Sequence, residues 1–214
     1  MDDRRFRVTR IETQKHDENR ASVYLDGVYA FGVDREVLIR HPLHEGDTLS
    51  DTEIDGILLS EELQKAKQKA LTLLSYRDRS VEELKHALSI KGFQERTVQH
   101  VVADFLRVGL LDDRRFASAY AQSRMLMKPV GRRLLKKWLL EKGIGETIAA
   151  QTIDDMVPEG DEEALARNLA LKRIGKVRQE GRLKARKKLS EFLMRRGFDW
   201  DVISSVLSGL DFEE

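Results

Sequence analysis

The sequence predicts a mainly α-helical protein, in which a small β-rich module at the N-terminus precedes three tandem three-helix repeats of the helix-turn-helix type. Three observations support this prediction. The hydrophobic period changes from alternating to helical near residue 60, one helix-ending motif occurs three times, and only 3 of the 214 residues are proline. Repeats of this kind stack on their neighbours, and we expect them to form an elongated arc.

The composition is that of a charge-rich globular protein. Of the 214 residues, 41% are hydrophobic and 35% are charged, which argues against a disordered or fibrous chain. The absence of cysteine excludes disulfide bonds and thiolate metal sites, and it is typical of a reducing compartment. No apolar segment has the length of a signal-peptide core or of a membrane span. We therefore expect a cytoplasmic protein.

The formal net charge of +1 hides two strongly basic stretches. Residues 128–142 carry 6 cations and 1 acid, and residues 172–196 carry 11 cations and 2 acids, so their net charges are +5 and +9. Residues 1–60 carry 8 cations against 13 acids, a net charge of −5. A polyanion would therefore meet local cationic patches rather than a uniformly charged surface.

The first 33 residues have the pattern of β-strands. Asp26-Gly27 separates two runs of β-forming residues, and this dipeptide is typical of a type I′ hairpin turn. We expect residues His16 to Asn19 to turn the preceding hairpin, which gives a three-stranded meander. Two short helical segments, interrupted by a proline and a glycine, are predicted to complete a small α+β module of residues 1–60.

The repeated motif contains two leucines four residues apart, then a cation, a glycine and an apolar residue. Its copies are "LKHALSIKGF" (84–93), "LKKWLLEKGI" (135–144) and "LSEFLMRRGF" (189–198). The two leucines share one helix face and point to a small core. The cation faces the negative end of the helix dipole, and the glycine allows a positive φ after which the apolar residue folds back. Each copy therefore predicts the end of a core-forming helix.

Other signals mark helix starts. Ser80 and Glu83 have the spacing of a capping box, and Asp112 with Asp113 begins a helix that runs to residue 127. "VPEG" at 157–160 is the clearest linker. The predicted repeats are residues 61–109, 110–157 and 159–210.

The sequence lacks the catalytic and nucleotide-binding motifs that would indicate an enzyme. "IGKV" at 174–177 is no P-loop, because Ala170 stands where its first glycine would be. His41 and His44 lie near each other without a cysteine, and we interpret them as surface histidines rather than metal ligands. The sequence shows no recognisable grouping of a nucleophile, a general base and a residue that orients the base. We expect no enzymatic activity, no metal and no cofactor.

The basic stretches are the strongest functional signal. A single cationic helix face is usually a solvent-exposed surface without a binding role. Here the cations recur on the equivalent helix of the second and third repeats. They lack interleaved acids in the sequence, and the resulting self-repulsion favours a polyanion or an acidic protein as partner. The first repeat is nearly neutral at this place, since Glu82 and Glu83 accompany Lys85. For Trp138 and Trp200 we favour packing over base stacking.

These motifs resemble the RecX family, the regulatory proteins of the bacterial recombinase RecA. The N-terminal module is similar to the β-rich extension of some members, with "YLDGVYAFGV" as its best match. The third repeat shares mainly the Arg-Gly-Phe ending. The residues that carry the resemblance are Leu74, Arg77, Ser80, Glu83, Leu84, Leu88 and Lys91-Gly92-Phe93, then Leu111-Asp112-Asp113, Phe116-Ala117, Arg124, Gly131, Leu135 and Lys142-Gly143-Ile144.

The resemblance implies a non-enzymatic modulator of RecA that acts in recombination, DNA repair and the SOS response. Such a protein lies in the groove of the RecA–DNA filament and limits filament growth, ATP hydrolysis and strand exchange. The implied partners are the RecA filament and DNA, bound weakly and with little sequence preference, and we expect a monomer. The candidate RecA- or DNA-binding residues are Arg124, Arg132, Arg133, Lys136, Lys137, Lys142, Lys172, Arg173, Arg182, Lys184, Arg186, Lys187 and Lys188.

An alternative function is transcription regulation by helix-turn-helix DNA binding. The third helices, "GETIAAQTIDDM" and "DWDVISSVL", would then enter the major groove. They are acidic or neutral, which argues against this alternative.

Overall fold

The computed structural model describes residues 4–177, 179 and 181–212. Within these residues the chain forms a mainly helical protein with one small antiparallel sheet, so the predicted fold class is confirmed. The strands are β1 (Arg5–Gln14), β2 (Asp17–Leu25), β3 (Val28–Asp34) and β4 (Thr48–Ser50). The helices are α1 (Arg35–Arg40), α2 (Asp51–Tyr76), α3 (Val81–Ile90), α4 (Glu95–Arg107), α5 (Asp113–Met127), α6 (Arg132–Glu141), α7 (Glu146–Met156), α8 (Glu162–Val177), α9 (Arg182–Arg195) and α10 (Trp200–Ser208).

Internal contacts divide the chain into two compact units. The first unit contains the chain up to Arg77 together with Leu84–Arg107, and the second contains Asp78–Glu83 together with the chain from Val108 onwards. No helix within the described residues is both long enough and apolar enough to cross a membrane.

The sheet of the first unit has the strand order β3-β2-β1-β4. The predicted turn at Asp26-Gly27 is confirmed, since both residues have positive φ, 50° and 84°. The other predicted turn, from His16 to Asn19, is wrong. Gln14 pairs with Asp17, so that the turn lies at residues 15–16, and β2 already begins at Asp17. The predicted meander also gains a fourth strand, β4, which pairs with the start of β1.

Helix α2 is longer than the sequence indicated. It begins with a capping box between Ser50 and Glu53, in which each side chain bonds to the backbone of the other residue. It then continues unbroken for 26 residues, so the boundary predicted near residue 60 lies inside a helix. The reason is that α2 contributes to two cores from opposite faces, with Ile57 of its first half against the sheet and Ala66 and Ala70 of its second half among the helices.

A buried carboxylate connects α2 to the sheet. Glu61 is only 3% exposed, and its two oxygens accept hydrogen bonds of 2.6 Å from the Arg20 guanidinium and from the backbone N–H of Asp34. Lys65, one turn further along α2, lies 3.2 Å from the same carboxylate. Removal of Glu61 would leave a half-buried guanidinium and a buried N–H without their partner.

The predicted helix ends are confirmed in all three copies of the motif. Gly92, Gly143 and Gly197 have φ values of 87°, 75° and 82°. In the third copy, Phe198 N–H donates to the Leu193 carbonyl at 3.2 Å and Gly197 N–H donates to the Met194 carbonyl at 3.0 Å, which is the Schellman pattern. The leucine pairs of the second and third copies are fully buried in separate cores.

In the second unit, Gly143 and Gly197 also lie at joints, meaning places where the end of one helix packs closely against the first turn of another. A Cβ atom at Gly143 would collide with the side chain of Glu82 in the first turn of α3. A Cβ atom at Gly197 would collide with Leu134 in the first turn of α6. By contrast, a Cβ atom at Gly92 would meet no atom within 4 Å among the described residues. The same glycine therefore ends a helix in all three copies and permits close helix contact in two.

Hydrogen bonds beside each glycine complete the two joints. The Ser80 hydroxyl donates to the Lys142 carbonyl at 2.5 Å, and Gly131 N–H donates to the Arg196 carbonyl at 2.8 Å. Two otherwise unsatisfied helix-end carbonyls thus find partners at the start of another helix. The same ten-residue motif therefore sets the end of a helix and its attachment.

We expect Gly197→Ala and Gly143→Ala to destabilise the protein more than Gly92→Ala. The positive φ costs about 1 kcal/mol for alanine at each position. The collisions at positions 143 and 197 add roughly 1 to 3 kcal/mol. Thermal and urea denaturation followed by circular dichroism measures these losses. Equal losses for the three variants would contradict the existence of the joints.

We expect Glu61→Ala to lower the free energy of unfolding of the first unit by about 3 to 5 kcal/mol, because it leaves buried polar partners uncompensated. Lys65→Ala is the matched control, since this lysine is half exposed and its ion pair is worth below about 1 kcal/mol. Hydrogen exchange of the sheet amides reports the two effects separately from the second unit. A loss as small for Glu61→Ala as for Lys65→Ala would refute this role.

Candidate functional site

The basic stretch of the second repeat lies on α6 and is held by carboxylates of the same chain. Arg132 shows this most clearly. Its guanidinium is 23% exposed and lies 2.5 Å from both Asp154 Oδ1 and the Val157 carbonyl. Its backbone N–H donates to Glu162 Oε1 at 2.9 Å. Arg132 therefore ties the start of α6 to the end of α7 and to the start of α8.

The neighbouring cations have the same kind of partner. Lys142, after the end of α6, also lies 5.6 Å above the ring of Tyr120, and Arg133 donates to the Met194 carbonyl at 3.4 Å. The ion pairs are Arg133–Asp199 (3.6 Å), Lys136–Glu146 (2.6 Å), Lys137–Glu141 (3.8 Å) and Lys142–Glu83 (2.8 Å).

The expectation that these cations lack acidic partners is therefore wrong for the second repeat. Of the five partner carboxylates, only Glu141 belongs to α6 itself. The other four come from α3, α7 and the residue before α10. Acids this distant in the sequence cannot be recognised as partners from the spacing of residues along one helix.

The basic stretch of the third repeat is different. Lys184, Arg186 and Lys187 of α9 are exposed, and none of them has an ion pair with a carboxylate in the described part of the chain. Lys172 of α8 is exposed in the same way. Two further predicted residues, Arg182 and Lys188, do interact within the chain. Repeat 3, meaning α8 to α10, therefore holds most of the uncompensated positive charge of the predicted set.

Two predicted arginines lie over aromatic rings. Arg124 is 5.2 Å from the ring centre of Tyr120 and 5.5 Å from that of Trp138. Arg173 lies 4.7 Å from the ring centre of Phe192, and Arg196, which was absent from the predicted set, lies 5.0 Å from the same centre.

The two guanidiniums beside Phe192 repel each other. Burial lowers the pKa of Arg196, and the nearby charge of Arg173 lowers it further. Arg196 still has a fixed position, because its side chain donates to the Pro129 carbonyl at 2.7 Å. This pair adds to the positive potential of repeat 3.

The two tryptophans have different environments. Trp138 is half-buried and packs against the core of the second repeat, as predicted. For Trp200 the prediction of packing is wrong, since its side chain is 61% exposed. Trp200 is in phase with the core residues Ile203 and Leu207, but it is the first residue of α10. Its side chain leans towards the N-terminal end of the helix, beyond the core that Ile203 and Leu207 fill.

Beside Trp200 lies an open groove between α9 and α10. Its cavity has a volume of about 400 Å³, and Leu183, Arg186 and Lys187 of α9 line it together with Leu207 of α10. Leu183 is 84% exposed. The sequence contained a signal for Leu183, because it lies two residues before the buried Ala185 and thus on the opposite face of α9. Leu183 lies outside the repeated motif, and the motif therefore predicts no role for it.

The side chains that could bind a metal are scattered over the described residues. No cluster of three or more histidine, aspartate or glutamate residues with the geometry of a metal site occurs in the described residues. His41 Nε2 is 2.9 Å from the Ser60 hydroxyl, and His44 Nδ1 is 3.6 Å from Asp47. The candidate site is therefore the cationic and partly apolar surface of repeat 3.

Four family models match successive parts of the chain. The model of the regulatory protein RecX N-terminal domain matches residues 6–50. The models of the first, second and third three-helix domains of RecX match residues 66–105, 112–153 and 161–207. Together they follow the order of the sheet module and the three groups of helices.

Whole proteins give the same result. Regulatory protein RecX of Clostridioides difficile is 33% identical over 212 residues, which are 97% of both chains. That of Bacillus licheniformis is 31% identical over 206 residues, 96% of this chain and 78% of its own. A crystal structure of regulatory protein RecX has a TM-score of 0.78 at 28% identity, with 95% of this chain and 99% of the other covered.

The RecX crystal structure from Lactobacillus salivarius has a TM-score of 0.65 at 22% identity and covers 72% of this chain and 99% of its own, a likeness of fold. The resemblance inferred from the repeated motif is thereby confirmed, and the chain belongs to the RecX family of regulatory proteins.

Proposed function

We propose that this chain regulates RecA by binding in the groove of the RecA–DNA filament, where it limits filament growth, ATP hydrolysis and strand exchange. In this proposal it acts by binding alone and as a monomer. RecA supplies the nucleotide chemistry, so that this chain needs no cofactor.

The observation that carries the proposal is the uncompensated positive charge of repeat 3 in a chain of the RecX family. Cations without carboxylate partners raise the free energy of the isolated protein through mutual repulsion, and an anionic surface relieves it. A filament of protein on DNA offers phosphates and acidic side chains along one groove. Lys184, Arg186 and Lys187 are the cations best placed to meet them.

The predicted binding residues of the second repeat have a smaller part in this proposal. Arg132 and Lys142 already have short contacts to carboxylates, so a ligand would have to compete with Asp154 and Glu83. Charge reversal of Arg132 would also break the contact between α6 and α7, and its effect on function would be confused with an effect on folding. Lys136 and Lys137 remain exposed enough to contribute.

We expect the purified chain to lower DNA-dependent ATP turnover by RecA at substoichiometric ratios. Lys184→Glu with Lys187→Glu should raise the concentration for half-maximal inhibition by about tenfold, because two attractive contacts become repulsive. The control is Lys15→Glu with Lys91→Glu, which changes the net charge equally at exposed positions outside the predicted set. Unchanged ATP turnover with the wild-type chain would rule out the proposed function.

We expect the chain alone to bind DNA weakly, with little sequence preference and with an affinity that falls steeply as salt increases, since such binding is dominated by counterion release from phosphates. Fluorescence anisotropy with two unrelated duplexes at several salt concentrations measures this. A protected footprint on one defined palindrome would instead favour the helix-turn-helix transcription regulator.

A further inference from the structure

The α9–α10 groove of repeat 3 has the size and lining of a site for large apolar side chains. Its volume of about 400 Å³ lies in the range of protein pockets that bind ligand groups. Leu207 lines the groove from the buried core of repeat 3, while Leu183 and Trp200 are among the most exposed large apolar side chains of repeat 3. A leucine and a tryptophan beside an open cavity leave apolar surface in water, which a partner would cover with a gain in free energy.

The charges around the groove select the partner. Arg186 and Lys187 line the same cavity and have no ion pair with a carboxylate in the described residues. Cations beside an apolar cavity complement an apolar side chain that has acidic residues next to it. Tryptophan and arginine are also the residues that most often dominate binding energy at protein interfaces.

The lining favours protein over nucleic acid. Single-stranded nucleic acid is bound by aromatic faces that stack on successive bases, and Trp200 is the only aromatic residue among the described residues that line the groove. Leu183 and Leu207 are aliphatic and offer no stacking face. Glu191 also lines the groove, but its carboxylate lies 3.9 Å from Arg195 and would repel either kind of anion equally. An apolar side chain between carboxylates matches the aliphatic lining and the two cations.

We propose that this groove binds an acidic segment of the RecA subunit, with a large apolar side chain in the cavity and carboxylates on Arg186 and Lys187. The identity of the partner rests on the proposed function. The inference goes further, because it assigns this cationic surface to the protein of the filament rather than to its DNA. An amphipathic helix is the simplest form for such a segment.

The two tryptophans of the chain allow a direct test. Trp138→Phe leaves Trp200 as the only indole, and 5-hydroxytryptophan incorporated at that position is excited separately from any tryptophan of RecA. We expect RecA filaments to shift its emission to shorter wavelength, because the ring leaves water, and we expect a thymidine oligonucleotide alone to leave the emission unchanged. A response to the oligonucleotide, or none to the filament, overturns the proposal.

Substitutions in the groove test its contribution to inhibition. Trp200→Ala and Leu183→Asp should each raise the concentration for half-maximal inhibition of RecA by about tenfold or more, as for central interface residues. Leu126→Asp is the matched control, since Leu126 is 80% exposed on α5 and does not line the groove. Circular dichroism establishes that each variant is folded.

The outcomes separate this proposal from the proposed function. If the wild-type chain inhibits RecA and the groove variants inhibit equally well, the assignment of the groove is wrong and the proposed function stands. If the wild-type chain does not inhibit RecA, the proposed function is wrong and the assignment of the groove falls with it. Inhibition that weakens in the two groove variants but not in Leu126→Asp supports both.

Discussion

The structure depends on a close contact that only glycine permits. Gly143 and Gly197 end their helices with a positive φ, and each lies against the first turn of another helix where a Cβ atom would collide. The carbonyl just before each glycine accepts a hydrogen bond from that other helix. Helix termination, core formation and attachment therefore coincide in one short motif, because the same left-handed residue that caps a helix also removes the side chain that would keep its neighbour away.

The two basic helices show that similar sequences can have different roles in neighbouring repeats. On α6 all four cations contact carboxylates, three of them in other segments of the chain, so that their charge contributes to holding the second unit together. On α9 three cations have no such partner in the described residues, and an anionic ligand would relieve their mutual repulsion. This difference is the reason why we propose repeat 3 as the surface that binds an anionic partner, whether acidic protein or nucleic acid.

The exposed apolar residues sharpen that conclusion. Exposure of Leu183 and Trp200 to water is unfavourable, because both side chains are largely apolar. Both border a groove that Arg186 and Lys187 also line. A surface that served only for solubility would keep such residues apart from one another. The combination is typical of an interface core with a charged rim. It is the reason why we propose a contact with protein at this groove rather than the phosphate contacts that cations alone would make.

The sequence by itself determined the local structure. The repeat, its leucine pairs, its capping glycines and the hairpin at Asp26-Gly27 were all predictable, because they depend on residues within one helix or turn. The length of α2, the fourth strand and the ion pairs that join Arg132, Arg133, Lys136 and Lys142 to other segments were decided only by the tertiary structure. Each of these depends on contacts between residues far apart in the chain. The spacing of residues along one helix does not show which side chains of a distant segment will contact that helix.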